Sequence, residues 1–120
     1  MQATITFNSD HIKAELSDRQ TALETQEFLQ AVTAAAEARK CARVLISVKG
    51  SKSLFKVEEY GISAYFKLLA SDRSYRVALL CDSDETRVSH EYIVLLARQY
   101  GAQVRSFRSE PNAVAWLARE

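Results

Sequence analysis

Apolar and polar positions change their period several times along this chain, and each change marks an element. Near the start, Ala3, Ile5 and Phe7 alternate with Thr4 and Thr6, then Asn8-Ser9-Asp10 offers a turn, and Ile12, Ala14 and Leu16 alternate with Lys13 and Glu15. A period of two predicts a β-hairpin with one covered face. Thr21 and Glu24 have the spacing of a capping box. Beyond them, Thr25, Phe28, Leu29, Val32, Ala35 and Ala36 share one helical face, with Gln26, Glu27, Gln30 and Glu37 opposite. The helix ends near Arg39-Lys40, where basic side chains suit its dipole.

The stretch 43–69 organises the middle of the chain. Residues 44–48 (Val-Leu-Ile-Ser-Val) are nearly all apolar, which predicts a strand covered on both faces. Lys49-Gly50-Ser51-Lys52-Ser53 is a polar connector, with Ser53 placed to cap the following helix. The spacing predicts that helix over 54–69, with two apolar stripes. Phe55, Ile62, Tyr65, Phe66 and Leu69 form one; Val57, Tyr60, Ala64 and Leu68 form the other, nearly opposite. One stripe suffices to cover a sheet. The second needs a neighbouring helix, another copy of the chain, or a ligand.

Ser71-Asp72-Arg73-Ser74 reads as a loop, and Val77-Ala78-Leu79-Leu80-Cys81 as a second doubly covered strand. A helix follows from about 86 to 100, with Val88, Tyr92, Leu95, Leu96 and Tyr100 expected inward and Gly101 as its C-cap. Residues 103–107 form a short last strand. Ser109-Glu110-Pro111 starts a last helix that packs through Ala113, Trp116 and Leu117. The expected order is β-β-α-β-α-β-α-β-α. This is an α/β fold: a single mixed sheet with an N-terminal hairpin and helices on both faces.

The length, 120 residues, fits one domain. With 16 basic and 15 acidic residues spread along the chain, no basic footprint for nucleic acid stands out. No apolar run is long enough to span a bilayer. The start, Met1-Gln2-Ala3-Thr4-Ile5, lacks the pattern of a signal peptide. Cys41 and Cys81 lie far apart without metal-type spacing and read as reduced thiols of a cytoplasmic protein. The sequence implies no cofactor and no metal.

Candidate chemistry is sparse. Lys49, Gly50, Ser51, Lys52 and Ser53 follow a buried strand and precede a helix, where anions collect in open α/β sheets, yet they lack phosphate-loop spacing. The plainer reading is a solvated connector. Cys81 could serve as a nucleophile with His90 as base, but Asp82 and Asp84 oppose a thiolate, so a buried, inert cysteine is expected. Those two carboxylates are too few for a calcium loop. His11 and His90 read as surface residues, and Phe107 and Trp116 as core. Val57, Tyr60, Ala64 and Leu68 form the candidate interface. A weak to moderate homodimer would cover it, whereas a sandwiched helix would bury it internally.

The ending Val104-Arg105-Ser106-Phe107, then Ala113-Val114-Ala115-Trp116-Leu117, resembles the sporulation anti-sigma-antagonist-like branch of the STAS/SEC14-like superfamily. Its bacterial members typically close with a similar V-R-x-F strand and A-x-A-W-L helix. The run 44–48, its loop, the helix containing Gly61, and Arg76-Val77-Ala78-Leu79 are also similar, so the resemblance covers most of residues 1–120. It implies a four- or five-stranded mixed sheet and no established enzymatic activity. The leading reading is therefore a non-enzymatic cytoplasmic regulatory or protein-interaction module that self-associates and has an unknown protein partner. The alternative, by analogy with the SEC14-like relatives, is a domain for a small apolar ligand or lipid. The anti-sigma antagonists carry a phosphorylatable serine in an Asp-Ser-Ser-Gly-like run. Here Glu58-Glu59-Tyr60-Gly61 stands at that place, and a serine phosphoswitch is not expected.

Overall fold

The computed structural model describes residues 2–18, 21–50, 62–72 and 74–119. Its elements are β1 (Gln2–Phe7), β2 (Ile12–Ser17), α1 (Ala22–Arg39), β3 (Arg43–Lys49), α2 (Ile62–Ala70), β4 (Arg76–Cys81), α3 (Asp84–Tyr100), β5 (Val104–Phe107) and α4 (Glu110–Leu117). They build one mixed sheet of five strands in the order β1-β2-β3-β4-β5. The hairpin pair β1–β2 is antiparallel, and all other pairs are parallel. Ile46 sits at the centre, opposite Ala14 on one side and Leu79 on the other.

The α/β class and the element order agree with the expectation from sequence. The layering follows from crossover handedness. Three successive parallel crossovers step the same way across the sheet, and right-handed crossovers then place α1, α2 and α3 on one face. There Phe28, Val32, Phe66, Leu69, Ile93 and Ala97 pack on alternate strand residues such as Ala14, Ile46 and Leu79. Among the described residues, only α4, which leads to no further described strand, covers the opposite face, where Ala113 and Leu117 meet Leu45 and Ala78. The double burial of residues 44–48 is thus real, with each face supplied by a different layer.

Helix ends follow local chemistry. The Thr21–Glu24 capping box forms: the Glu24 N–H donates to Thr21 Oγ1 at 3.2 Å and the Thr21 N–H donates to Glu24 Oε1 at 3.1 Å. Helix α1 closes on Lys40 and α3 on Gly101, both left-handed, at φ 52° and 78°. Across the bare face of β2, Lys13 Nζ donates to Glu110 Oε1 at 2.9 Å and ties the hairpin to the start of α4. That hydrogen bond and the Glu110 charge raise the Lys13 pKa.

Several expectations need correction. Of the α3 residues expected inward, Val88, Tyr92 and Leu95 face outward, whereas Leu96 is half-buried against the main core and Tyr100, exposed on one side, packs its ring on Phe66 at 5.7 Å. The buried face carries Thr86, Ser89, His90, Ile93 and Ala97. His11 and His90, expected at the surface, are buried. Phe107 and Trp116 are half-buried; they stack at 5.7 Å on the margin of the α4 core. The β1 strand is almost wholly exposed, with only Ile5 half-buried on the face that was to be covered. Of the helix expected over 54–69, α2 is described from Ile62, and residues 51–61 lie outside the described residues.

The two left-handed caps generate a test. Lys40 holds a conformation that costs an L-residue about 1 kcal/mol or more, whereas Gly101 holds it freely. Lys40→Gly should raise stability by ~0.5–1 kcal/mol in urea unfolding. Gly101→Ala should lower it by ~1 kcal/mol through backbone strain alone, because an added Cβ would meet nothing within 4 Å.

Candidate functional site

Three places in the fold could carry function: the loops at the C-terminal ends of the parallel strands, a cavity beneath the three-helix layer, and the outer surface of α3. Ligands in open α/β sheets collect at the first of these. There β3 ends in Lys49-Gly50, of the candidate anion loop; Ser51, Lys52 and Ser53 lie outside the described residues. The Gly50 N–H donates to Asp82 Oδ2 at 3.3 Å, and the Asp18 N–H donates to the Lys49 carbonyl at 3.1 Å. Gly50 is left-handed at φ 56°, and a Cβ there would sit 3.0 Å from Asp18 Oδ1. An anion at this backbone N–H would have to displace one carboxylate and approach another.

Asp82 also sets up the next element. Thr86 Oγ1 donates to Asp82 Oδ1 at 3.3 Å, the Thr86 N–H donates to Ser83 Oγ at 3.2 Å, and Ser83 Oγ donates to Thr86 Oγ1 at 3.0 Å. This cap turns Thr86 inward. At 100° per residue, Ser89, His90, Ile93 and Ala97 then follow it toward the sheet.

Under α1, α2 and α3 lies a cavity of about 60 Å3. Its lining is apolar, with Ile46, Ile62, Phe66 and Ile93 among it, but Thr25 and His90 also reach it, only 4% and 3% exposed. Thr25 Oγ1 has no hydrogen-bond partner among the described residues. Tyr65 lines the same space, and burial pushes its phenol well above the usual range, so it is neutral. The Thr25 hydroxyl and the neutral Tyr65 phenol in an apolar wall suit an uncharged guest. The size is restrictive: a cavity of about 150 Å3 is what accepts benzene.

The free thiols of Cys41 and Cys81 are half-buried, so the expectation of a buried Cys81 is corrected. The Cys81 Sγ donates to the carbonyl of Phe107 at 3.5 Å. Among the described residues, no group of three or more His, Cys, Asp or Glu could hold a metal ion. No described helix is long and apolar enough to cross a membrane.

Of the candidate interface, Val57 and Tyr60 lie outside the described residues. Ala64 is exposed and Leu68 half-buried, both along a groove between α1 and α2 that Leu29 and Thr33 line from the other side. Leu68 packs against the main core from that position. The larger outward apolar feature is on α3, where Val88 is 55% exposed, Tyr92 45% and Leu95 58%. Their spacing puts all three on one stripe. Beside it, a groove between α3 and β5 gathers Arg87, Arg98, Arg105 and Arg108 around Leu95 and Phe107. Arg87 and Arg108 are partly neutralised: Glu91 lies 2.8 Å from Arg87, and Asp84 lies 3.0 Å from Arg108. Sequence reasoning assigned this stripe to the core, because it is the most apolar face that α3 possesses. The signal for the true orientation was Ser83-x-x-Thr86, which fixes where the helix begins.

The buried hydroxyl makes a checkable claim. Thr25→Val keeps the shape and removes the unpartnered oxygen from an apolar wall. Stability in urea should rise by ~1 kcal/mol. A loss of similar size would mean that the hydroxyl is hydrogen-bonded in solution.

No model of a known protein family matches the chain, and no curated protein matches it, so function is read from the site itself.

Proposed function

We propose that this chain is a non-enzymatic cytoplasmic module for protein interaction, regulatory in role and able to self-associate, which meets its protein partner through the outer face of α3. The observation that supports this reading is the stripe Val88, Tyr92 and Leu95, turned to solvent on a helix whose inward face holds Thr86, Ser89 and His90. Large apolar side chains scattered singly on a surface need no explanation, but three in one helical stripe mark a binding face. Tyr92 is the natural anchor, since a tyrosine offers apolar area and a polar tip at small entropic cost. The arginines of the adjoining groove favour a partner whose apolar ridge is flanked by carboxylates.

The alternative, a small apolar ligand or lipid, has the cavity beneath α2 in its favour and the cavity's volume against it. At about 60 Å3 it is smaller than the space that accepts benzene. A lipid would require α2 to move away from the sheet, exposing Phe66 and Leu69.

A photo-crosslinking amino acid at position 92, expressed in the native host, tests the interaction reading. The expected result is one or a few discrete adducts that disappear when Val88 and Leu95 are both replaced by serine. The same probe at exposed Lys40 should give none. Equal labelling from both positions, or no adduct at position 92, would contradict the reading.

A further inference from the structure

The two edges of the sheet are unlike. β5 is four residues long, carries Arg105 and runs directly into Arg108. Short length and charge are the devices that keep an edge from pairing with another strand. β1 is six residues long, Gln-Ala-Thr-Ile-Thr-Phe, with no charge and no proline. Its register with β2 runs unbroken from Gln2↔Ser17 to Phe7↔Ile12, without a bulge. Thr, Ile and Phe favour extended backbone. Among the described residues, no strand pairs with its outer side.

The hairpin fixes which backbone groups that outer side presents. The Asn8 N–H donates to the His11 carbonyl at 3.0 Å, so Asn8 and His11 form a hydrogen-bonded pair. Antiparallel ladders alternate, which makes Thr6↔Lys13, Thr4↔Glu15 and Gln2↔Ser17 the next such pairs. Ala3, Ile5 and Phe7 therefore direct their N–H and C=O groups away from β2.

We propose that β1 pairs antiparallel with β1 of a second copy, about a two-fold axis through Ile5, joining the two sheets into one. This rests on the self-association in the reading above and names its surface. One register fits throughout. With Ile5 opposite Ile5 of the second copy, Ala3 lies opposite Phe7, and every outward hydrogen-bonding residue meets another. On the helix-covered side, the smallest side chain faces the largest. The Phe7 ring is already roofed by the Arg39 guanidinium at 4.1 Å and has room beside an alanine. On the bare side, Thr4 faces Thr6, a favourable cross-strand pair. A second copy is the occupant that this uncharged, self-complementary strand suits.

The test uses exposed positions. Because Thr4 lies opposite Glu15 and Thr6 opposite Lys13 within the hairpin, each double variant adds one unlike-charge and one like-charge pair there, so its urea midpoint is measured beside wild type to show that the fold is kept. Thr4 and Thr6 are both exposed. Thr4→Lys/Thr6→Lys would set lysine against lysine, and Thr4→Glu/Thr6→Glu glutamate against glutamate. Sedimentation velocity across a concentration series should show that wild type dimerises and that each double variant loses affinity by about tenfold or more. An equimolar mixture of the two variants should regain dimers, since each lysine then meets a glutamate. If wild type and both variants dimerise alike, the β1 interface is wrong while self-association stands. If wild type stays monomeric throughout, the interface and self-association both fail. The edge is then left to a strand of another protein, and the α3 reading is still decided by its own crosslink.

Discussion

The parallel pair β3–β4 is the constraint from which the architecture follows. Residues 44–48 and 77–79 are buried, alternately toward opposite faces, so neither face of this pair can meet water. Three crossover helices fill one face because handedness leaves them no other, and they bring Phe28, Val32, Phe66 and Leu69 with them. Among the described residues, the opposite face has only α4, whose Ala113 and Leu117 cover Leu45 and Ala78. With one short helix on that side, β1 and β2 keep a polar outer face of Thr4, Thr6, Lys13 and Glu15. The coverage is thus uneven by construction: the β1 edge lies where it runs out, whereas the stripe on α3 is the outer side of the covering layer itself.

The rotation of α3 about its axis carries the functional reading. A hydrophobic helix face ordinarily settles that rotation by itself. Here the cap competes: Ser83 and Asp82 hold Thr86 inward, and the sheet receives small or polar residues where larger apolar ones were available. Ala97 is fully buried and lets the helix sit close to the sheet. A leucine in its place would hold the helix farther off. The consequence is a helix with Thr86, Ser89 and His90 inside and an apolar stripe left for a partner.

Legibility from sequence divides along the same line. Elements fixed by local chemistry could be read directly. The Thr21–Glu24 box, the apolar runs at 44–48 and 77–81, Gly101 as a left-handed cap and Pro111 in the first turn of α4 all appear in the structure. The orientation of α3 was misjudged because a hydrophobicity pattern ranks faces by apolar content, and content favours Val88, Tyr92 and Leu95. The buried histidines gave no signal, since their burial depends on packing between distant elements. Cys81 reads as core by its run, but it lies at the strand end, where helix cover stops. The anion-loop reading rested on the local run 49–53 between a buried strand and a helix start; that Asp18 and Asp82 flank Gly50 follows from pairing of β2, β3 and β4, which no local pattern reveals.

The measurement that bears most directly on the account is the urea unfolding midpoint of two single variants on α3, Leu95→Asp and Ala97→Asp. The residues are two apart and differ little in helix propensity, but they lie on opposite sides of the helix. With Leu95 58% exposed and Ala97 at 0%, the account predicts that Leu95→Asp changes stability by ~0.5 kcal/mol or less. Ala97→Asp should cost on the order of 3 kcal/mol, because it places a carboxylate against the sheet. The reverse order, with Leu95→Asp unfolding the chain and Ala97→Asp tolerated, would mean that the apolar stripe of α3 is core and would contradict the account.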